Sequence, residues 1–401
     1  MFKLLKVLKQ KLISFLKRKT LLEKIDNLEV RVAKLEAQNK KLKKDQKKLV
    51  AALKNGSAPA KEDKKEAPAK EQTNSKQQMV DEMLKKVMGV TGWDYDTTHA
   101  KYRAARKRTG CTAKEFYLYR MYDMTDAEQD TVLVASIQHK LHTKYGVNGE
   151  FVKLIRDKEK TNDFFAEYVR RPWCVNTKVS FQKFCRVFAN TRRIIYKPLG
   201  GNRGFGVEAF DLNSDNMQEI YDRLTTYPVG VVEQYVVQHP EMLRLCPSSV
   251  NTIRVVTFSS NTQPVTADGK YVDIAYTALR IGGGGSIVDN FHSGGMVSII
   301  DLESGKLITD AADMECNVFT HHPATGVEIK GFQIPYYKEA LAMVTEAVTK
   351  NKLEGYLGWD IAIAEDGPLL IEVNNRPGVV LLSTPYAAQK IGMKHVLAKY
   401  L

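Results

Sequence analysis

Residues 1–20 have the spacing of an amphipathic helix. Apolar side chains recur every three or four positions along one face, and lysines with one arginine occupy the other face. The apolar face consists of Leu4, Leu5, Leu8, Leu12, Phe15 and Leu16. Such a helix binds an anionic membrane surface by burying its apolar face, and each lysine adds about 1 kcal/mol. We expect a peripheral membrane contact here; the alternative is a helix docked on the protein's own surface.

Residues 21–54 change to a heptad pattern. The d positions are Leu21, Leu28, Leu35, Leu42 and Leu49, and the a positions are Ile25, Val32, Asn39, Gln46 and Leu53. Five heptads in register predict a coiled coil, and Asn39 at an a position favours a parallel dimer because two amides pair across a two-stranded seam. A basic segment before a leucine zipper is also typical of DNA-binding proteins. The wide apolar face of residues 1–20 argues against that alternative, so no nucleic acid is expected.

Residues 55–78 are rich in Pro, Ala, Lys and Glu and contain no aromatic side chain, which predicts a disordered linker. Helical patterning dominates residues 79–190, the N-terminal part of a catalytic domain, and residues 191–401 form its core, where strands alternate with helices. The predicted strands are RIIYKP, VEAF, VGVVEQYVV, NTIRVVTF, DIAYTALRI, MVSIIDL, GWDIAIAE and PLLIEV, with helices at 214–225 and 336–351.

The charge of the chain is concentrated at its N-terminal end. Residues 1–54 hold 17 basic and 5 acidic side chains, so they contribute +12 of the net +14. The five cysteines show no CxxC spacing, which argues against a zinc site or a disulfide framework and fits a reducing cytoplasm. No run of about 18 apolar residues predicts a membrane-spanning helix. We expect a cytoplasmic protein, peripheral on the inner face of the membrane.

The clearest chemical signal is a predicted β-hairpin near residue 366. Asp360 lies on its first strand, and Glu372 and Asn374 lie two residues apart on its second strand, so those two share a face. Asp360 joins them if it pairs with Glu372, which requires an odd-length loop such as Glu365-Asp366-Gly367. Three oxygen ligands on one sheet surface suit Mg²⁺. The alternative is a solvated sheet face, but carboxylates within apolar strands are costly to bury without a partner.

A second signal is the segment IIYKPLGGNRGFGVEAF, where a strand bearing Lys197 enters a glycine-rich loop. The glycines Gly200, Gly201, Gly204 and Gly206 would let backbone N–H groups approach phosphate oxygens, and the lysine supplies a point charge. A glycine loop between strands is also a common hairpin turn. No GK[ST] motif and no helix follow it, which excludes a P-loop and a dinucleotide fingerprint.

These segments together, with VVEQYV, Asn251-Thr252-Ile253-Arg254, DNFHSGG and the E-V-N-x-x-P-G ending, resemble an ATP-grasp enzyme. The resemblance covers roughly residues 110–395. It is similar to the ribosomal-protein glutamate ligases and closer still to the sugar-transfer-associated ATP-grasp family of surface-polysaccharide genes. It implies an α+β fold in which two α+β subdomains clasp ATP, preceded by the amphipathic helix and parallel coiled coil.

The resemblance also implies roles for individual residues. Lys158 and Lys197 would contact the phosphates under a lid formed by the glycine loop, and Arg254 and Arg280 would steady the phosphoryl group and the substrate carboxylate. Asp360, Glu372 and Asn374 would hold Mg²⁺. The hinge between subdomains would place Glu233, Gln234 and Val236 at the adenine and Glu241 at the ribose. Asn290, His292, Gly294 and Gly295 match a segment lining the cleft, although His292 is equally a strand-end histidine bound to a carbonyl.

The function that follows is an ADP-forming ligase that joins a carboxylate to an amine through an acyl-phosphate, with ATP and Mg²⁺ as cofactors. Its substrate would be a small molecule or a surface glycan precursor, and the chain would be a homodimer. His321 and His322 lie in a turn-like segment with no metal expected. Departures at glycines 282–285 and before residue 190 leave the acceptor open. Two alternatives remain: a phosphotransferase acting on a sugar or protein hydroxyl, and a nucleotide-sensing coiled-coil scaffold.

Overall fold

Helix α1 (Ala69–Thr91) is the first element of the computed structural model, which describes residues 69–200, 205–283, 291 and 294–401. The amphipathic helix and the coiled coil expected at 1–54 lie outside the described residues. The linker expected at 55–78 is wrong for residues 69–78, which are helical. No proline or glycine separates Pro68 from Gly89, and Leu84 and Val87 are fully buried, so tertiary packing favours the helix.

Short helices follow α1 and build the N-terminal part of the fold. Their bounds are α2 (Tyr95–Thr109), α3 (Ala113–Leu118), α4 (Asp126–Asp130), α5 (Ala135–Lys144), α6 (Gly149–Arg156), α7 (Lys158–Phe164) and α8 (Ala166–Val169), with a 3₁₀ turn at Met121–Asp123. Helices α3 and α4 both begin with a capping box, Thr112 with Glu115 and Thr125 with Glu128. These reciprocal bonds satisfy the free N–H groups that would otherwise fray such short helices.

A four-stranded antiparallel sheet comes next along the chain, with strand order β1-β4-β2-β3. Its elements are β1 (Trp173–Val175), α9 (Phe181–Val187), β2 (Arg193–Pro198), β3 (Glu208–Asp211), α10 (Met217–Thr225) and β4 (Gly230–Gln234). Helices α9 and α10 cover one face through Phe184, Phe188 and Leu224. Strand β1 was not predicted, because three residues are too few to show a period in the sequence. This sheet therefore begins at Trp173, before the predicted domain boundary at residue 190.

The second sheet has seven antiparallel strands in the order β11-β10-β5-β6-β7-β8-β9. Its elements are α11 (Pro240–Leu245), β5 (Thr252–Ser259), β6 (Val272–Ile281), β7 (Met296–Ile300), β8 (Ala311–Ala312), β9 (Val318–Phe319), α12 (Tyr337–Lys350), β10 (Gly355–Ala364), β11 (Gly367–Asn374), α13 (Val380–Ala387) and α14 (Lys394–Ala398). Every strand and helix that the sequence predicts after residue 190 is therefore confirmed, with ends shifted by a few residues.

Both faces of the second sheet are buried, which explains its nearly continuous apolar strands. Val255, Leu279 and Trp359 point to one face and pack with α12. Val256 and Ala278 point to the other face, where α5, α13 and α14 cover them. The polar side chains described next emerge on this second face, where the apolar cluster ends. Within the described part of the chain, no helix combines the length and apolar character needed to cross a bilayer.

Candidate active site in the cleft between the two sheets

Asp360 and Glu372 are directly opposite each other in the β10–β11 hairpin. This pairing was expected only with an odd-length loop such as Glu365-Asp366-Gly367, and that loop is wrong. Ala364 pairs with Gly367, which leaves the two-residue turn Glu365-Asp366, and a bulge at Ile371 supplies the extra residue. A regular ladder from this turn would have set Ile371 opposite Asp360 and turned Glu372 to the other face. The bulge thus creates the carboxylate pair.

Asn374 lies on the same face as Glu372 and contacts it directly. Its side-chain N–H donates to Glu372 Oε1 at 3.0 Å. Opposite Asn374 stands Gly358, where a Cβ would come within 2.8 Å of Pro377. Because Gly358 has no side chain, the loop after β11 can fold back over the sheet beside the two carboxyl groups.

Two arginines from neighbouring strands bind the buried carboxyl of Asp360. Arg254 is its partner across the β5–β10 ladder and donates from two guanidinium nitrogens, one of them at 3.0 Å to Oδ2. Arg280, on β6, donates to Oδ2 at 2.7 Å. Burial alone would raise the pKa of Asp360, but these two positive charges outweigh it and hold the pKa below the ordinary value. Asp360 stays ionised and orients both arginines.

Glu372 titrates in the opposite direction. Its side chain is exposed on the cleft surface, but desolvation by the surrounding protein and the nearby charge of Asp360 raise its pKa above the ordinary value. Two carboxyl groups that repel each other in one site attract a cation or a shared proton.

Lys197 lies on β2 of the first sheet. Its Nζ lies 2.7 Å from Glu233 Oε2 on the adjacent strand β4. Glu233 is 2 % exposed and also accepts from Arg171 at 2.7 Å and from Asn162 at 2.9 Å. Burial would raise its pKa, but Arg171 and Lys197 together lower it strongly. Neither Arg171 nor Asn162 was predicted from the sequence, because neither belongs to a recognisable spacing.

Lys158 joins the two halves of the site. It begins α7 and donates to the carbonyl of Pro198, at the base of the glycine loop, at 3.1 Å. Its pKa is lowered mainly by burial and also by Lys197, while Glu372 and Glu233 act in the opposite direction. Those interactions place Lys158 between the first sheet and the carboxylates of the second sheet. The side chains expected at the phosphates and at the metal are thus brought together in one cleft.

The glycine loop is described only at its two ends. Gly201 and Gly204 lie outside the described residues. Gly206 has φ +74°, and a Cβ there would stand 3.2 Å from Pro198. A left-handed backbone this close to a proline ring requires glycine. The neighbouring Phe205 is 84 % exposed, an unusual position for a large apolar side chain, at the mouth of the Lys197 loop.

The residues expected at the adenine and ribose have other contacts in this structure. The carboxylate of Glu233 is engaged by Lys197 and Arg171 rather than directed out of the cleft. Val236 packs in a small apolar cluster with Ala362 and Leu369. Gln234 is partly buried, and Glu241 pairs with Arg244 in the first turn of α11. In this structure Lys197 and Arg171 bind the Glu233 carboxylate, because a buried carboxylate binds the nearest cations. The adenine contacts expected of Glu233, Gln234 and Val236 and the ribose contact expected of Glu241 stay predictions.

The segment DNFHSGG is partly outside the described residues, which exclude Asn290 and His292. Gly294 has φ +89°, and its carbonyl oxygen would lie 2.0 Å from a Cβ at Gly283, so the strand ends around it approach closely. His322 anchors this region: Nδ1 accepts two backbone N–H groups at 3.3 Å, and Nε2 lies 2.8 Å from the carbonyl of Gly282. Nε2 therefore carries the proton. His321 pairs by backbone with Glu328 at the surface.

No three side chains of the types His, Cys, Asp and Glu cluster as a metal site within the described residues. A cation at Asp360 and Glu372 would complete its shell with neutral oxygens, such as the Asn374 amide, and with ligands that arrive on a substrate. Oxygen ligands of this kind fit Mg²⁺, which keeps several waters and phosphate oxygens and needs few protein carboxylates.

Comparison with known proteins finds one matching family and several similar solved structures. Residues 139–399 match the family model described as sugar-transfer associated ATP-grasp. No curated protein sequence matches the chain. Similar solved structures include N5-carboxyaminoimidazole synthetase from Staphylococcus aureus with ADP, at 14 % identity and a TM-score of 0.38 over 63 % of this chain and 54 % of that chain. The chain thus spans about half the length of that protein.

Two further solved structures are similar at the same level. The D-alanine–D-alanine ligase from Bacillus anthracis is 15 % identical with a TM-score of 0.36, covering 66 % of this chain and 73 % of that chain. D-alanyl-alanine synthetase A from Vibrio cholerae is 15 % identical with a TM-score of 0.39, covering 63 % and 66 %.

Proposed function

The chain belongs to the sugar-transfer associated ATP-grasp family, and on that premise we propose that it is an ATP-dependent, ADP-forming ligase that joins a carboxylate to an amine. ATP and Mg²⁺ are the nucleotide and metal of such enzymes. The carboxylate is activated as an acyl-phosphate, and the amine then displaces phosphate from its carbonyl. The acceptor we propose is a surface polysaccharide or its precursor, in keeping with the sugar-transfer association of the family.

One observation carries the proposal: cations from both sheets surround a carboxylate pair in a single cleft. Lys158 and Lys197 come from the first half, and Arg254 and Arg280 come from the second. Attack of a carboxylate on the γ-phosphate brings two anions together, and water alone screens that repulsion poorly. Four preorganised positive groups lower this electrostatic barrier without having to reorient during the reaction.

The carboxylate pair supports a metal in the same place. Desolvation and the charge of the ionised Asp360 raise the pKa of Glu372, and a divalent cation at the pair would offset both effects. We assign Asp360, Glu372 and Asn374 as the residues that would hold Mg²⁺. The bound metal supplies charge neutralisation at the phosphate oxygens.

The remaining residues act by orientation. Asp360 fixes Arg254 and Arg280 through hydrogen bonds, which hold both guanidinium groups in one arrangement. Glu233 holds Lys197 at 2.7 Å until a phosphate competes for the ammonium. We propose that the glycine loop that ends at the exposed Phe205 covers the cleft during the reaction and keeps water from the reactive intermediate.

A trapping experiment tests the reaction type. The full chain is incubated with ATP, Mg²⁺, hydroxylamine and a panel of amino acids and uronic acids. We expect ADP together with a hydroxamate, because hydroxylamine captures an acyl-phosphate. The Lys197→Met variant should lose both products. The control Lys350→Met removes an exposed lysine at the end of α12 that pairs with Glu167, and it should keep them.

Other products would contradict the proposal in distinct ways. ADP with a phosphorylated hydroxyl and no hydroxamate would identify a phosphotransferase on the same fold. AMP instead of ADP would overturn γ-phosphoryl transfer. Nucleotide binding with no turnover on any acceptor would favour the scaffold alternative. Replacing hydroxylamine with candidate amines and following product mass then identifies the natural acceptor.

The N-terminal arm adds a proposal that rests on the sequence alone. We propose that residues 1–20 attach the enzyme to an anionic membrane surface and that residues 21–54 form a parallel homodimer. Co-sedimentation with phosphatidylglycerol vesicles and the molecular mass in solution test these two roles. Removing residues 1–54 should abolish both, and a monomer that fails to bind vesicles with the arm present would refute them.

A further inference from the structure

A cavity of about 510 Å³ lies between α1 and α2, in the helical region that precedes the family match. Its walls consist of Gln77, Val80, His99, Tyr102, Arg103, Arg106 and Lys107. No acidic side chain is among them. The volume lies in the range of small-ligand sites.

The cationic side chains of the cavity share one face of α2. Arg103, Arg106 and Lys107 are spaced three and four residues apart, a spacing at which like charges destabilise a helix. Arg106 donates to the hydroxyl of Tyr102 at 3.2 Å. Among the residues that the structure describes, no carboxylate pairs with Arg103, Arg106 or Lys107. All three side chains are exposed to solvent, so their positive charge is accessible to a ligand.

Arg108 on the same helix provides an internal contrast. It forms ion pairs with Asp126 and Asp130 of α4, the second at 2.8 Å, and it also bonds Gln129. An arginine that stabilises the packing of α2 is thus fully partnered. The cations of the cavity lie about one turn away on another face of α2 and form no ion pair with the described residues. Packing therefore does not account for them.

We propose that this cavity binds a phosphate or diphosphate group. Guanidinium groups match phosphate oxygens in a bidentate manner, and the ammonium adds a point charge. Val80 and the ring of Tyr102 form an apolar wall for the atoms attached to the phosphate. A metal or amine ligand is excluded by the absence of acidic lining groups. A concave site on one helix face suits a compact anion better than an extended nucleic acid.

This site is separate from the proposed catalytic cleft. Its helices have their own apolar core, which includes Leu84, Val87, Tyr102 and Phe116. The chain therefore has a second anion site that the family match at 139–399 does not contain. A phosphate-bearing ligand could be held there whatever reaction the cleft performs.

Calorimetric titration of the full chain with inorganic pyrophosphate at low ionic strength tests the proposal. The measurement uses the Lys197→Met background, which weakens binding in the cleft, and the remaining contribution of the cleft is the same in all the variants compared. The double variant Arg103→Gln/Arg106→Gln should weaken binding by about tenfold or more, since each charge-assisted hydrogen bond is worth about 1.5 kcal/mol or more.

The matched control is Lys330→Gln/Lys338→Gln, which removes the same charge at two exposed positions far from α2 along the chain. It should change the affinity by less than about twofold. Residues 1–54 carry the same charge in both variants, so only the difference between them reports on the cavity. Equal affinities in the two double variants, with unchanged thermal unfolding midpoints, would overturn the proposal.

Vesicles distinguish the sources of the phosphate. If the cavity takes a lipid headgroup, Arg103→Gln/Arg106→Gln should weaken binding to phosphatidic acid vesicles more than to phosphatidylserine vesicles of equal charge. If it takes a soluble phosphate, only pyrophosphate binding should fall. Preferential loss of duplex DNA binding, with pyrophosphate unaffected, would show a polyanion surface instead and would contradict the proposed site.

Discussion

Glu372 is the residue at which stability and function oppose each other. Its raised pKa means that the ionised form is unfavourable in the folded, metal-free protein. The folded state therefore holds a proton to higher pH than the unfolded chain does, and stability falls as pH rises from the unfolded pKa of about 4.3 through the raised pKa. A divalent cation reverses this, since it binds only the deprotonated form.

We predict that Glu372→Gln stabilises the metal-free protein and inactivates the enzyme. The thermal unfolding midpoint should rise at pH 7.5 and change little at pH 4, where Glu372 is already protonated. ADP formation should fall by about a hundredfold or more, because metal coordination contributes several kcal/mol. Glu303→Gln, an exposed glutamate outside the cleft, should change neither property. Undiminished ADP formation in Glu372→Gln would refute the metal assignment.

At the scale of elements, the hairpin of β10 and β11 depends on two irregularities. The bulge at Ile371 sets Glu372 opposite Asp360, and Gly358 leaves room for the loop that follows β11. An added Cβ at Gly358 would lie 2.8 Å from Pro377 and 3.3 Å from Arg254 Cδ. Regular strands would pack equally well, so these irregularities are explained by the site.

We predict that Gly358→Ala damages the site more than the strand. The methyl group should displace Pro377 and Arg254, lower stability by about 1–3 kcal/mol as overpacking does, and reduce ADP formation at saturating ATP. Urea unfolding and steady-state kinetics measure the two effects. The control Gly89→Ala lies in α1 with no atom within 4 Å of the new Cβ, and it should stabilise the protein slightly. Full activity in Gly358→Ala would contradict this account.

Across the whole molecule, Arg171 links the two sheets. Its guanidinium bonds Glu233 of the first sheet and donates to the carbonyl of Leu370 in the second sheet at 2.6 Å. Its side chain is 3 % exposed and that of Glu233 is 2 % exposed, so removing one partner leaves a buried charge. The cleft between the sheets therefore depends on an ion pair that touches neither expected substrate.

We predict that Arg171→Met lowers the free energy of unfolding by about 3–5 kcal/mol and weakens ATP binding, since Glu233 would then bind Lys197 more tightly. Arg170→Met is the matched control. Arg170 forms an exposed pair with Asp366, and its loss should cost less than about 1 kcal/mol. Chemical denaturation of both variants, with nucleotide titration, checks the prediction. Equal costs for the two neighbouring arginines would show that the buried pair does not join the halves.

The sequence by itself determined the strands after residue 190 and placed Asp360, Glu372 and Asn374 on the two strands of one hairpin, because apolar periodicity and residue spacing report local geometry. Tertiary structure decided the bulge, strand β1, the helical start at Ala69 and the engagement of Glu233 by Arg171 and Lys197. Each of these depends on contacts between residues far apart in the chain, and no local pattern encodes which buried charge meets which partner.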